Sequence, residues 1–276
     1  MTTVARPLPA PDAAGAPMGR PPARALARGF LDARVMTGRE VRRSLRSVDA
    51  LLTSLMLPVV ILTMFVFVFG GAISRDGHYV DYVVPGIILL CAGFGSAATA
   101  VSVAQDMTTG TIDRFRTMPI LGSSVLIGHV LASVLRNLAA GTIVIGFALL
   151  YGFRPTASPG QWALAIGLVV LFVLAFTWVA CALGLVVGPE AANGLTFLMI
   201  FLPYVSSGFV PTATMPGALQ AFAAHQPITP IVETLRCLLV GPPAEGTAGP
   251  AIAWCLAILV VGYVASARLF TRRRAG

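Results

Sequence analysis

Six apolar runs divide this chain, at residues 51–69, 83–103, 131–151, 162–187, 195–210 and 251–267. A bilayer core about 30 Å thick takes about 20 apolar residues per helix, and in lipid every backbone N–H and C=O must be paired within the segment. The runs lack the strict alternation of an outer-membrane barrel strand. The fifth is short and contains Pro203. The chain is 57% hydrophobic and only 11% charged, where a soluble domain would be about a quarter charged. The expectation is an all-α integral membrane protein with six transmembrane helices.

Arginine placement sets the expected orientation. All 19 basic residues are arginine: nine precede the first run, four follow the last, and Arg114 and Arg116 lie between the second and third. Arg75, Arg154 and Arg236 are the single arginines of the first, third and fifth loops. Both termini and the second loop are therefore expected in the cytoplasm, the rest of the chain being multi-pass in a bacterial plasma membrane. This asymmetry explains the net charge of +8 without nucleic acid as a partner; membrane lipid is the expected one. With no lysine, the usual phosphate-binding loop is excluded.

Residues 1–24 are rich in Pro, Ala and Gly and too poor in apolar groups to offset ordering entropy, so a disordered cytoplasmic tail is expected. In 25–48, Leu26, Phe30, Leu31 and Val35, then Val41, Leu45 and Val48, recur at helical spacing among arginines. This predicts an interfacial amphipathic helix, bent at Thr37-Gly38; a solvated basic arm is the alternative. The transmembrane domain spans 49–270, and 271–276 form a basic cytoplasmic tail.

Two loops are more than reversals. The second, 105–120, sets Asp106, Asp113, Arg114 and Arg116 around Ile112, Phe115 and Met118. Ile112–Phe115 and Phe115–Met118 are i,i+3 pairs that share a helix face. Apolar knobs flanked by charge suit docking to a soluble partner; an amphipathic helix resting on lipid is the alternative. In the fifth loop, Pro211, Pro216, Pro227 and Pro230 separate short apolar segments. These predict two short re-entrant helices capping the bundle before the last run, since irregular backbone at membrane depth must be covered. Glu233 and Arg236 form an i,i+3 pair, as a local salt bridge or as part of a gate. Gly208, Phe209 and Pro211 mark the turn into this cap, and Gly208 is the candidate hinge of an outer gate.

Arg136, inside the third run, either snorkels to the inner interface or has a functional role. His78, His129 and His225 share no ligand spacing, and Cys91, Cys181, Cys237 and Cys255 are scattered, so no metal site and no disulfide are expected. Ala180, Gly184 and Gly188 have the small-residue spacing of close helix contact.

Four stretches taken in order resemble the permease subunit of ABC-2 type exporters, especially the daunorubicin/doxorubicin-resistance type. They are Gly38-Arg39-Glu40 through Arg46 ahead of Pro58, and 110–119. Ser207-Gly208-Phe209-Val210-Pro211 with Met215-Pro216, and Pro227-Ile228-Thr229 through Glu233 and Arg236, complete the set. The likeness covers about 25–270. It implies two copies of this chain working with two copies of a separate ABC ATPase subunit. That subunit would hold ATP and Mg, and this chain would bind no cofactor and have no catalytic residue. It also implies that 107–119 is a coupling helix, with Ile112, Asp113, Arg114, Phe115, Arg116 and Met118 engaging the ATPase. The function implied is outward transport of a hydrophobic or amphiphilic compound (drug, polyketide or lipid-like) by alternating access. Phe94, Phe197, Met199, Phe201 and Tyr204, on the second and fifth runs, are the candidate cavity walls for such a hydrophobic small molecule. The competing classes are an intramembrane enzyme or lipid-modifying protein, which needs clustered reactive side chains at one depth, and a secondary transporter, which usually needs an intramembrane carboxylate relay.

Overall fold

The computed structural model describes residues 34–42, 48–73, 79–110, 123–241 and 246–272. Every regular element among them is helical. Helix α1 is 34–42. Helix α2 is Val48–Met64, continued through a π-helical turn at Phe65–Phe69 into Gly70–Ile73. Then come α3 (Tyr79–Thr108), α4 (Ser123–Leu150), α5 (Pro159–Gly184) and α6 (Pro189–Tyr204). A single 3₁₀ turn, Thr212–Thr214, precedes α7 (Gly217–His225), α8 (Ile228–Leu239) and α9 (Ala248–Arg272).

Local chemistry places the ends. Ser158 and Gln161 form a reciprocal capping box, with Pro159 in the first turn of α5, which pairs backbone donors that lipid could not satisfy. Gly110 (φ +66°) ends the α3 helix and Gly152 (φ +99°) ends α4, positions where a side chain would be strained.

Among the described residues, four helices, α3, α4, α5 and α9, are long and apolar enough to cross a membrane. The first run lies within the continuous helical stretch 48–73, made of α2, the π turn and a last helical turn, and the fifth run folds as the shorter α6. The 16-residue α6 is about 24 Å long at 1.5 Å per residue, and it lies at Pro189–Tyr204 rather than at 195–210 because Pro189 starts it early.

Helix α3 is central: it packs on α2, α4, α5, α6 and α8 and is buried on all sides through its middle. Helix α9 packs on α5 and α8 and leaves Val260, Val261 and Tyr263 exposed, a face for hydrocarbon. Close approach at the seams depends on small residues, as expected where lipid offers no hydrophobic drive. A Cβ on Gly184 would sit 2.9 Å from the Val103 side chain, so α5 rests directly on α3. Gly262 similarly admits Val179 of α5. Between helices, Ser133 pairs with Thr177 (3.1 Å) and Ser266 donates to the Trp178 carbonyl (2.9 Å).

Two local expectations change. Residues 34–42 stay helical through Thr37-Gly38, with Met36 and Glu40 buried and Val35 exposed. Packing on α4, where Met36 meets Gly128, selects a face different from the predicted stripe. Residues 105–108 also continue α3 rather than beginning a separate loop helix.

Candidate functional site

Chemistry-bearing residues gather at the two ends of α3. Asp106 and Tyr82 are 24 positions apart, about 36 Å along the axis.

At the C-terminal end of α3, four side chains from three helices form a buried charge cluster. Arg39 of α1 donates through Nη2 to Glu40 Oε1 (2.6 Å) and to Asp106 Oδ2 (3.0 Å). His129 of α4 places Nε2 3.2 Å from the same Asp106 oxygen and Nδ1 3.7 Å from Glu40 Oε2. Glu40, Asp106 and His129 are all buried, while Arg39 is one-third exposed. The three offer ligand atoms within 4.8 Å of one another, the donor types of a divalent-cation site. Arg39 already donates to both carboxylates, however, so the arrangement is an ion-pair network that neutralises buried charge. Asp106 closes α3 and His129 lies in the second turn of α4, so the cluster ties α1 to both flanks of the 111–122 segment.

Further along α4, Arg136 Nη2 donates to the Gly95 carbonyl (2.9 Å) and to Thr99 Oγ1 (3.2 Å) of α3. Arg136 is thus a cross-link between α3 and α4. Beside it Asn137 presses on Gly95, where a Cβ would meet Asn137 Oδ1 at 2.0 Å.

At the N-terminal end of α3, the turn that follows α6 is held by side chains from α3 and α8. Arg236 Nη2 donates to the Ser207 carbonyl (2.7 Å) and Nε to the Tyr82 carbonyl (3.2 Å), with its guanidinium 3.8 Å above the Tyr82 ring. Tyr82 Oη donates to the Ser207 carbonyl (2.8 Å) and Tyr79 Oη to the Phe209 carbonyl (2.9 Å). Phe209 is buried, stacked on Tyr204 (4.7 Å) and set against Phe65 of the α2 π turn (4.6 Å). Gln226 Nε2 donates to the Val205 carbonyl, and Thr229 Oγ1 to the Ala223 carbonyl (2.6 Å). An arginine forked over two carbonyls and a ring makes a directional clamp.

Of the predicted gate residues, the structure brings Gly208, Phe209 and Arg236 together. Pro211 is exposed. The Glu233–Arg236 salt bridge is not among the ion pairs of the described residues; the guanidinium turns to backbone carbonyls that need its donors. The tightest contact is also not at Gly208 itself. A Cβ on Gly86 would lie 2.5 Å from the Gly208 carbonyl oxygen, whereas one on Gly208 would meet nothing closer than Ser206 Oγ at 3.1 Å. Gly208 has no positive φ, so the required glycine is Gly86, across the contact.

Of the predicted cavity residues, Phe197 and Phe201 are largely exposed on α6, and Phe94 is partly buried on α3. Tyr204 faces inward to Phe209 and contacts Phe201 at 6.3 Å. The Met199 side chain lies outside the described residues, as do Ile112, Asp113, Arg114, Phe115, Arg116 and Met118. The sequence singled out neither Tyr79, Tyr82 and Gly86 nor the joining of Arg39, Glu40, Asp106 and His129. A polar residue near a span end was the only signal for Tyr79, Tyr82, Asp106 and His129, and Gly86, inside an apolar run, carried none.

The ABC-2 type transporter family model matches residues 32–240, a stretch that includes both clusters. A daunorubicin resistance ABC transporter permease protein of Streptomyces coeruleorubidus is 32% identical over 204 residues, covering 72% of this chain and 70% of that protein. A probable doxorubicin resistance ABC transporter permease protein of Mycobacterium tuberculosis is 24% identical over 231 residues, covering 82% of this chain and 83% of its own length. A G-family ABC transporter of Dictyostelium discoideum is 25% identical over 174 residues, 60% of this chain but 23% of that protein. The chain therefore belongs to the ABC-2 type transporter family, as a membrane-embedded permease component.

Proposed function

We propose that this chain is the membrane half of an ATP-driven exporter of a hydrophobic or amphiphilic compound, coupled through 107–119 to separate ATPase subunits that hold ATP and Mg. The observation that carries this reading is the buried Arg39–Glu40–Asp106–His129 cluster. It fastens α1 to both ends of the segment that bears Phe115 and Arg114. A push on that segment by a soluble partner would reach α1, α3 and α4 together. The outer clamp at Arg236 supports a second, opposed closure, as alternating access requires. The drug-resistance names of two relatives support a drug-like substrate.

In this reading six segments cross the bilayer, with α2 and α6 lengthened by flanking residues. Helix α1 lies at the cytoplasmic interface, and both termini are cytoplasmic. Two copies face each other across a cavity lined in part by Phe197 and Phe201, whose exposure in the single chain supports burial by a second copy or substrate.

The test is purification with the partner ATPase and measurement of ATP hydrolysis against a panel of apolar and amphiphilic compounds. Stimulation by some, abolished in Phe115→Ala with the chain still in the membrane, is the expected result. A chain that exports its compound without any ATPase would overturn the proposal.

A further inference from the structure

A cavity of about 440 Å³ opens between α4 and α5. Its walls include Leu138, Gly141 and Thr142 of α4 with Trp162 and Ile166 of α5, and Leu235 of α8 closes it. Both wall helices are long and apolar enough to cross a membrane, so the medium beside this slot is hydrocarbon. Thr142 and Ile166 are exposed at its mouth.

Two polar side chains of the wall donate within their own helix. Thr142 Oγ1 donates to the Leu138 carbonyl (2.9 Å). Asn137 Nδ2 donates to the Ser133 carbonyl (2.9 Å) and hydroxyl (3.2 Å). The lining is mostly apolar and holds no charged side chain, so nothing in the slot asks for a charged ligand. Left empty in lipid, its lining forfeits dispersion contacts, so an apolar filler is favoured. A helix from a second copy is about 10 Å across and would lie over such a slot rather than enter it. A flexible chain one methylene wide can enter. Trp162 stands one turn from the start of α5, at the level where tryptophan marks the boundary between hydrocarbon and headgroups. A lipid headgroup beside it would leave its tail pointing down the slot toward Asn137.

We propose that this slot seats one acyl chain of a membrane phospholipid, and that α8 rests on it. Leu235 meets the slot from one face of α8, while the neighbouring Arg236 clamps the Ser207 carbonyl. The lipid tail therefore supports the helix that holds the outer turn closed. This binding does not depend on ATP coupling, so its test can fail while the export reading stands, and the reverse.

Gly141 supplies the plug. A Cβ there meets nothing within 4 Å and Gly141 lines the slot, so Gly141→Phe is the variant chosen to fill it. The full chain is reconstituted in phosphatidylethanolamine and phosphatidylglycerol vesicles containing a phospholipid with a photoreactive group in its acyl chain. After illumination, labelled peptides are mapped. Residues 137–145 and 162–169 are expected to label severalfold more than the exposed face of α9 around Val260 and Val261. Gly141→Phe should erase that excess and leave α9 unchanged; Thr142→Leu serves as the second plug if the first variant folds poorly. Equal labelling of slot and α9 in the unaltered chain means ordinary surrounding lipid and overturns the proposal. So does displacement of the label by a transported compound, which would make the slot a drug site. Cross-linking of Thr142→Cys to a second chain would show that protein covers the slot, and overturns it too.

Discussion

Gly86 has no room for a methyl group. Alanine there would set a carbon 2.5 Å from the Gly208 carbonyl oxygen, forcing backbone apart in a seam held by Tyr79, Tyr82 and Arg236. Gly86→Ala should therefore cost about 1–3 kcal/mol, the usual range for overpacking. It should lower the thermal midpoint in detergent more than Gly208→Ala does; equal midpoints would remove the claim that Gly86 is the tight side. Arg236→Lys keeps the charge but loses the fork that reaches two carbonyls and the planar face over Tyr82. The expected result is normal membrane abundance with impaired export, and full export would dismiss the clamp. At this scale the sequence was partly legible. Gly208 and Arg236 stood out because they lie near prolines at the edge of an apolar run. Gly86 and Tyr82 did not, because inside a helix a glycine or tyrosine shows no preference that betrays a distant partner, Gly208 for the one and Ser207 for the other.

Helices α1, α3 and α4 meet at one charge cluster, and its members act as a unit. In a double-mutant cycle, Arg39→Gln and Asp106→Asn should couple by about 0.5–3 kcal/mol, as residues in one ion-pair network do. Additive effects would show that α1 is not fastened there. Removing Asp106 should also weaken ATPase association if the segment after it docks as proposed, which co-purification of the two chains measures. Phe115→Ala should remove an anchor worth more than about 2 kcal/mol at such a contact, detaching the ATPase while the chain still inserts; retained association would end the docking role. The apolar runs made α3, α4, α5 and α9 legible, since length and hydropathy alone specify a buried or lipid-facing helix. The ends of α1 and α6 were not legible. Residue 35 faces out and 36 in because α4 offers Gly128 as a seat for Met36, and no pattern within α1 records that.

For the whole molecule, the exposed aromatic face of α6 and the one set of clusters among the described residues fit half of a transport path. Cysteine placed at Phe201 should cross-link two copies in native membranes, and a functional complex containing one copy would refute the homodimer. Family membership was legible from the order of four loop stretches around the apolar runs. The buried charge cluster was not, since its members lie 67 and 23 positions apart in the chain and only the fold makes them neighbours.

Helix α3 is a single 30-residue rod whose ends carry the two clusters. If a nucleotide-driven push at Asp106 loosens the contacts of Tyr82, then a compound that loosens Tyr82 must change nucleotide binding by the same factor, since coupling free energy is reciprocal. Nucleotide affinity of the partner, measured with and without a transported compound, should therefore shift by as much as the compound's own affinity shifts with nucleotide.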